Sequence, residues 1–179
     1  MKRLLIALTL LATLLTTACS ENEMPNQKLA DSVNLESFMG TWYVHGHTPT
    51  FMDKEAYDAT ETYELDGKKI RTTYRYRKGS HEGKWKEYHP VGKVYDHESN
   101  AEWRMRFFGI LNAAYYILYV DPSYEYTVVG HPGRSMAWIM SRSPQMTDSK
   151  YDELIQELVS RDYDLSELRR LPHQAETKD

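Results

Sequence analysis

Alternation of apolar and polar side chains governs the chain from Gly40 to about Arg142. In the stretch KIRTTYRYR the residues on one face are Ile70, Thr72, Tyr74 and Tyr76. Arginine and threonine alternate with them on the opposite face. Successive side chains of a β-strand point to opposite faces, so this period of two predicts a half-buried strand rather than a helix.

Short strands of this kind recur about eight times, separated by turn signals such as the DGK at Asp66 to Lys68. No helical period intervenes between them, which excludes a parallel α/β sheet and favours an antiparallel meander. A meander with one apolar face can close on itself, and closure removes the exposed edges. We therefore predict an all-β fold, an eight-stranded antiparallel up-and-down β-barrel.

The period changes to that of a helix after Pro144. Thr147 or Asp148 is suited to cap the helix N-terminus. The apolar residues that follow at helical spacing are Tyr151, Leu154, Ile155, Leu158 and Val159. The earlier stretch NAAYYILYV is apolar on both faces, so we expect this C-terminal helix to pack outside the barrel and cover such strands.

The first eighteen residues have the pattern of a secretory signal. Lys2 and Arg3 precede the apolar run LLIALTLLATLL, which is too short to span a membrane. Small residues then lead to Cys19, the only cysteine, so no intrachain disulfide can form. This arrangement resembles a bacterial lipobox, which implies cleavage before Cys19 and lipidation of that residue. Ser20 resembles the sorting signal for outer-membrane delivery. An ordinary secretory signal followed by a free cysteine is the alternative.

The chain divides into four predicted segments: a lipoprotein signal peptide over 1–18, a lipidated N-terminus and flexible tether over 19–33, the barrel with its helix over 34–172, and a polar tail over 173–179. Residues 1–18 hold two basic and no acidic side chains, so their removal changes the formal net charge from −4 to −6. A negative chain argues against nucleic acid as a partner, because phosphate binding needs a basic face.

Three short motifs carry a resemblance to a known family. FMGTWYV contains Gly40 and Trp42, YVDPSYEYTVVG contains Asp121 and Tyr124, and WIMSRSP contains Arg142. In this order, and with the signal before them, they resemble the lipocalins over roughly residues 34–172. More narrowly, they are similar to the bacterial outer-membrane lipoprotein lipocalins.

The resemblance implies a calyx that is closed at one end and open at the other. Trp42 would plug the closed end, Arg142 would lie across its indole, and Gly40 would allow the tight entry. The family's activity is binding rather than catalysis, so no catalytic residue and no cofactor are expected. The implied protein is anchored by lipid in a bacterial outer membrane and binds a fatty acid, a lysophospholipid or a similar hydrophobic ligand for lipid storage, transport or membrane maintenance. A homodimer is left open.

Strand parity nominates the residues that would line the cavity. The predicted inward-facing set is Val44, Gly46, Tyr57, Ala59, Glu61, Tyr63, Thr72, Tyr74, Tyr76, Val94, Trp103, Met105, Phe107, Met136, Trp138 and Met140. Methionine adapts to varied acyl shapes, and tyrosine hydroxyls could bind a polar head. A solidly packed barrel without a cavity is the alternative, although it would favour aliphatic residues over 14 tyrosines.

Glu61 is the one acidic residue in this set. A carboxylate facing a cavity is costly unless it is paired or neutralised. It would repel a fatty-acid carboxylate, or it would meet a cationic or hydroxylated ligand group. It could equally lie near the mouth in water. An isomerase-like enzyme that uses Glu61 and a cavity tyrosine as acid and base is the alternative function.

His45 and His47 form an H-x-H pair of the kind that can ligate a metal. The seven histidines are otherwise spaced poorly for one site, and no H-E-x-x-H or C-x-x-C motif is present, so no metal site is predicted. Alternation from Trp42 places Val44 and Gly46 inward. We therefore expect both histidines to point away from the cavity, toward solvent or the C-terminal helix.

Overall fold

The computed structural model describes residues 27–174. Its strands are β1 (Gly40–His47), β2 (Ala56–Asp66), β3 (Lys69–Lys78), β4 (Trp85–Tyr88), β5 (Val91–Val94), β6 (Glu102–Phe107), β7 (Leu111–Val120), β8 (Tyr126–Gly130), β9 (Ala137–Ser141) and β10 (Arg169–Arg170). Its helices are α1 (Leu35–Phe38) and α2 (Asp148–Val159). Cys19, the signal segment and the last five residues lie outside the described residues.

The strands form one closed antiparallel barrel. The strands pair in the order β1-β2-β3-β5-β6-β7-β8-β9, and β9 pairs back with β1 to close the ring. β4 and β5 both pair with β3 at different points along it and so fill one position of the ring. β10 pairs with β1 beyond the end of the β1–β2 ladder. The predicted eight-stranded up-and-down barrel with an external C-terminal helix is confirmed, with two short strands added.

Helix α2 packs on the outside of β8 and β9. Thr147 caps it by accepting a hydrogen bond from the Lys150 amide at 3.2 Å. Its buried residues Tyr151, Leu154 and Leu158 form an outer core with strand residues such as Leu118. The neighbouring Ile117 of β7 points into the barrel core instead. The two apolar faces of this strand therefore serve two cores, which explains why its sequence does not alternate.

The segment before β1 is ordered against the barrel from residue 27 onward. The Ala30 amide donates to the Ile117 carbonyl at 2.9 Å and the Val33 amide to the Ser99 carbonyl at 2.7 Å. The sequence predicted a flexible tether over residues 19–33. That prediction is wrong for residues 27–33, which are hydrogen-bonded to the barrel. Helix α1 follows, a short element that the sequence analysis did not identify, and its Phe38 is fully buried.

Two bulges reverse the parity expected from the sequence. The first lies in β1, where the pairing with β9 shifts between Val44 and Gly46. Beyond it, Gly46 faces α2, because an added Cβ would lie 2.5 Å from the Tyr151 hydroxyl. His47 pairs in register with Trp138 on the inner side of the wall. The prediction that Gly46 faces inward and His47 outward is wrong, since one extra residue in a strand exchanges its two faces.

The second bulge lies in β2, where the pairing with β3 shifts between Tyr57 and Thr60. Asp58 has a positive φ of 50° there. Tyr57 consequently lies outside the barrel, with its ring 5.1 Å from that of His81. Its predicted place on the cavity face is wrong. Ala59, beyond the bulge, is fully buried in the barrel core.

The closed end is held by one arginine from the end of the barrel. The guanidinium carbon of Arg142 stands 3.8 Å from the centre of the Trp42 ring. Its nitrogens donate to the carbonyls of Ser37, Phe38, Met39, Thr41 and Tyr124 at 2.7–3.3 Å. Gly40 enters β1 with a positive φ of 92°. These contacts join α1, β1 and the chain after β9 at one point.

Asp121 organises the turn between β7 and β8. Its carboxylate accepts from the Tyr126 amide at 2.6 Å and from the amide and hydroxyl of Ser123. Tyr124 adopts a positive φ of 58° in this turn, and its hydroxyl accepts from the Asn34 amide at 2.8 Å. The turn thereby fastens the segment that leads into α1.

Candidate functional site

A cavity of about 230 Å³ lies at the end of the barrel opposite α1. Loops β1–β2, β6–β7 and β8–β9 form its rim, and the strands below form its wall. The lining residues are Thr50, Phe51, Met52, Asp53, Tyr74, Met105, Phe107, Phe108, Leu111, Ala113, Ala114, Tyr115, His131, Met136 and Trp138. Phe51 and Ile110 are 82% and 78% exposed in the rim loops. The open end therefore presents apolar side chains both inside and at its edge.

Five of the sequence-predicted residues line this cavity: Tyr74, Met105, Phe107, Met136 and Trp138. A second group is buried in the barrel without lining the cavity: Val44, Ala59, Glu61, Tyr63, Thr72, Tyr76, Trp103 and Met140. Val94 lies at the closed end, where it lines a surface depression with Leu35. Gly46 and Tyr57 are outside. The lower half of the barrel is thus filled, while its upper part is open.

An aromatic cluster fills the lower half. The Phe38 ring lies 5.1 Å from that of Trp42 and 5.3 Å from that of Trp103. Trp103 in turn stacks on Tyr115 with ring centres 5.3 Å apart. Such contacts bury large apolar surfaces. Tyr115 forms the boundary, because it belongs to this cluster and also lines the cavity.

Sequence reasoning missed the loop residues of the site. Residues 50–53 precede β2 and have no strand period, so parity could not assign them to a face. Tyr115 could have been found, because it pairs in register with Trp103, which alternation had already placed inside. Phe108 and Leu111 flank the β6–β7 turn and carried no signal beyond their apolar character.

Asp53 is the carboxylate of the cavity wall, and it is 4% exposed. It accepts hydrogen bonds from the amide and the hydroxyl of Thr50 at 2.7 Å and from the Tyr74 hydroxyl at 2.9 Å. The Nδ1 atom of His47 lies 3.4 Å from it. Burial favours a raised pKa for Asp53, but the contacts with His47 and Thr50 outweigh it and hold this pKa below its usual value.

Glu61 is buried beside the cavity, because it pairs in register with Tyr74 of the cavity wall but does not itself line the cavity. Its carboxyl group accepts a hydrogen bond from the Tyr63 hydroxyl, which lies 2.5 Å from the Tyr115 hydroxyl. Burial, reinforced by the negative charge of Asp53, raises the pKa of Glu61 to about 8. A carboxyl group in this place keeps its proton at neutral pH. The sequence had left open that Glu61 lies near the mouth of the barrel in contact with water. Its burial contradicts that alternative.

The tyrosine hydroxyls of the interior already have partners. Tyr74 donates to Asp53 and Tyr76 donates to the Met52 carbonyl at 2.5 Å. Tyr63 donates to Glu61. Each of these three hydroxyls donates its proton to an acceptor of the protein itself. None of the three is therefore left free to donate a hydrogen bond to the polar head of a ligand.

The H-x-H pair is split by the β1 bulge. His45 lies behind the barrel wall, where its Nε2 atom is 2.9 Å from the Ser141 hydroxyl and its ring is 4.9 Å from that of His173. Burial, with His173 nearby, lowers the pKa of His45 to about 4. His47 reaches Asp53 on the inner side. Within residues 27–174 no group of three or more His, Cys, Asp or Glu is placed to hold a metal ion.

Comparison with known proteins agrees with this geometry. A family model described as a lipocalin-like domain matches residues 33–173. The chain belongs to the lipocalin family. The family assignment made from the three motifs is thereby confirmed.

This lipocalin has relatives in plants and bacteria. It is 28% identical over 163 residues to temperature-induced lipocalin-1 of Arabidopsis thaliana, with 84% of each chain covered. It is 24% identical over 158 residues to outer membrane lipoprotein Blc of Escherichia coli strain K12, with 87% of this chain and 88% of that chain covered. No helix within residues 27–174 is long and apolar enough to cross a membrane.

Solved structures share the fold at lower identity. Insecticyanin of the tobacco hornworm Manduca sexta superposes with a TM-score of 0.65 at 19% identity, covering 85% of this chain and 86% of that chain. Lobster apocrustacyanin A1 gives a TM-score of 0.63 at 14% identity, covering 79% and 81%. At this level of identity the likeness concerns the barrel alone.

Proposed function

We propose that this lipocalin binds one small hydrophobic or amphiphilic molecule in the open end of its barrel. The observation that carries the proposal is the cavity of about 230 Å³, whose wall is almost entirely apolar. Barrels of about eight strands can hold one small ligand, and such sites combine an apolar wall with a few placed polar groups. The volume lies below the roughly 300–1,000 Å³ of sites for drug-sized ligands, so it suits a compact molecule or the end of a chain.

A pair of neighbouring substitutions tests this site. Ala113 lines the cavity, while Asn112, the preceding residue on β7, lines the outer wall. Ala113→Phe is expected to weaken the binding of a fluorescent acyl probe at least about tenfold, because the ring occupies the cavity. Asn112→Phe is expected to leave the affinity within about twofold. Titration of the probe into each variant measures both.

Thermal unfolding of both variants serves as the control for folding. Native mass spectrometry of the protein purified without detergent provides a second readout, in which a co-purified lipid is expected. Equal affinity of the two variants would place the ligand elsewhere. Failure of the unmodified protein to bind any acyl probe at micromolar concentration would contradict the proposed function.

We further propose that the protein is a bacterial lipoprotein, anchored in the outer membrane through Cys19, and that it stores or transports lipid or helps to maintain the membrane. The relatives named outer membrane lipoprotein Blc support this, as does the lipobox pattern. The described chain begins beside the open end, where Gln27 donates to the His131 and Pro132 carbonyls at 3.0 and 2.8 Å. Eight further residues would span at most about 28 Å, so an anchored cavity would stay close to the membrane.

Cys19→Ser is expected to move the protein from the membrane fraction to the soluble fraction. Ser20→Ala, a change at the adjacent position that leaves the acylated thiol in place, is expected to keep it membrane-bound. Fractionation followed by immunoblotting measures the distribution. Membrane association that survives Cys19→Ser would rule out this anchor.

A further inference from the structure

The buried carboxyl groups in the described part of the protein are not matched by buried lysine or arginine. The buried polar and charged residues of the described chain are His45, His47, Thr48, Asp53, Glu61, Thr72, Thr127 and Ser141. Two of them carry carboxyl groups, and no buried lysine or arginine occurs among residues 27–174. The cavity wall likewise holds a carboxyl group, that of Asp53, and neither lysine nor arginine.

The charge of Asp53 has no lysine or arginine partner within residues 27–174. Its only ion-pair partner in the described chain is His47 at 3.4 Å, a contact too long for a good hydrogen bond. Thr50 and Tyr74 donate neutral hydrogen bonds, which stabilise the carboxylate without cancelling its charge. A buried carboxylate in an apolar wall attracts a cation more strongly than an exposed one, because little solvent screens the interaction.

Aromatic rings share the cavity wall with this carboxylate. Six side chains of the cavity wall are aromatic: Phe51, Tyr74, Phe107, Phe108, Tyr115 and Trp138. Their faces carry negative electrostatic potential and attract organic cations. Aromatic walls together with one carboxylate form a site for an ammonium group attached to an apolar body. The same wall repels a carboxylate head.

We propose that the cavity binds hydrophobic organic cations, with their ammonium group at Asp53 and their hydrocarbon part against the aromatic wall. This inference rests on the proposed binding function and specifies its ligand. A free fatty acid becomes a poor ligand, because burying its carboxylate beside Asp53 brings two like charges together and the cavity wall holds no lysine or arginine to offset them. The hydrocarbon part of the organic cation and that of the fatty acid fit the apolar wall equally well, so only the charged group distinguishes the two ligands.

Three probes of equal chain length separate charge from hydrophobicity: decylamine, decanol and decanoate. At pH 7 and below micelle formation, calorimetric titration is expected to show decylamine binding about tenfold or more tighter than decanoate. Decanol should lie between them. Asp53→Asn is expected to weaken decylamine binding about tenfold while leaving decanol within about twofold. Asp66→Asn, a change at an exposed turn carboxylate, serves as the matched control and should alter none of the three.

The outcomes separate this proposal from the more general one. Decanol binding without a preference for decylamine, or a preference that survives Asp53→Asn, would overturn the cation site and leave hydrophobic binding intact. Binding of none of the probes would overturn both. Should Asp53→Asn fail to fold, the ranking of the three probes on the unmodified protein still decides, since decanoate bound as tightly as decylamine contradicts the site.

An ammonium group can belong to a simple amine or to a phospholipid head. Lysophosphatidylcholine, added as a competitor, distinguishes these sources. If lysophosphatidylcholine displaces decylamine and binds more weakly to the Asp53→Asn variant, the site accepts the ammonium group of a phospholipid head. If lysophosphatidylcholine does not compete, the site accepts simple amines only. Either result supports the ammonium site, and competition that Asp53→Asn leaves unchanged counts against it.

Discussion

Replacing Glu61 with glutamine is expected to raise the free energy of unfolding at pH 8 by about 4 kcal/mol and to change it little at pH 4. In the folded protein, burial raises the pKa of Glu61 from its ordinary 4.5 to about 8. The unfolded chain loses this proton above pH 4.5, whereas the folded chain retains it. Stability that depends on the protonated carboxyl is therefore complete below pH 4.5 and is lost as the pH rises to about 8. Glutamine keeps an acceptor for Tyr63 and has no proton to lose.

Urea unfolding at pH 4, 6 and 8 measures this effect. The unmodified protein should lose stability across this range, and the Glu61→Gln variant should lose distinctly less. Glu64→Gln, on an exposed position of the same strand, is the control and should follow the unmodified protein. Parallel pH profiles for Glu61→Gln and the unmodified protein would show that the carboxyl group is not held in its protonated form.

Replacing Arg142 with alanine is expected to lower the free energy of unfolding by about 3 kcal/mol. The side chain donates to five backbone carbonyls and lies over the Trp42 ring. Alanine would leave several of those carbonyls without a protein donor and would remove the cation–π contact. Denaturant unfolding at one pH measures the change.

Arg142→Lys separates charge from shape. Lysine keeps the positive charge but lacks the planar fork, so it should recover less than half of the lost stability. Arg106→Ala is the control, because Arg106 lies on the outer wall and its side chain, among residues 27–174, donates a hydrogen bond only to Asn112, at 3.2 Å. Its removal should cost less than about 0.5 kcal/mol. An equal loss in Arg142→Ala and Arg106→Ala would mean that the closed end is held by apolar packing alone.

The balance of acidic groups gives the barrel interior two different carboxyls. Asp53 has a lowered pKa because donors surround it, and Glu61 has a raised pKa because burial dominates and Asp53 is close. One group therefore supplies a negative charge at the cavity wall, while the other remains neutral among tyrosines. The proposed cation site depends on Asp53, and the expected pH dependence of stability depends on Glu61. The probe titrations and the urea unfolding therefore test separate residues.

Strand periodicity was sufficient to predict the barrel. The alternation in β3 places Ile70, Thr72, Tyr74 and Tyr76 on the buried face, as the structure does. The change of period after Pro144 predicted α2, since a helix that covers a barrel must carry its apolar residues on one side. Such patterns are local, because each strand or helix buries one face whatever its partners are.

The candidate site followed from periodicity only in part. Tyr74, Met105 and Trp138 were found because they lie on regular strand segments that reach the open end. Asp53 was missed because it comes from a loop, where no period relates a residue to a face. Val44 and Met140 were correctly placed inside, yet parity does not reveal depth, and both belong to the filled half of the barrel.

The sequence by itself determined the eight-stranded ring and its external helix, and the resemblance carried by its motifs implied the closed end with Gly40, Trp42 and Arg142. Only the tertiary structure decided which residues face the cavity. The bulges in β1 and β2 exchange the faces of Gly46, His47 and Tyr57, because an extra residue opposite a regular partner offsets the alternation on one side of the bulge from that on the other. Such a shift depends on pairing with a neighbouring strand, and no pattern within the strand records it.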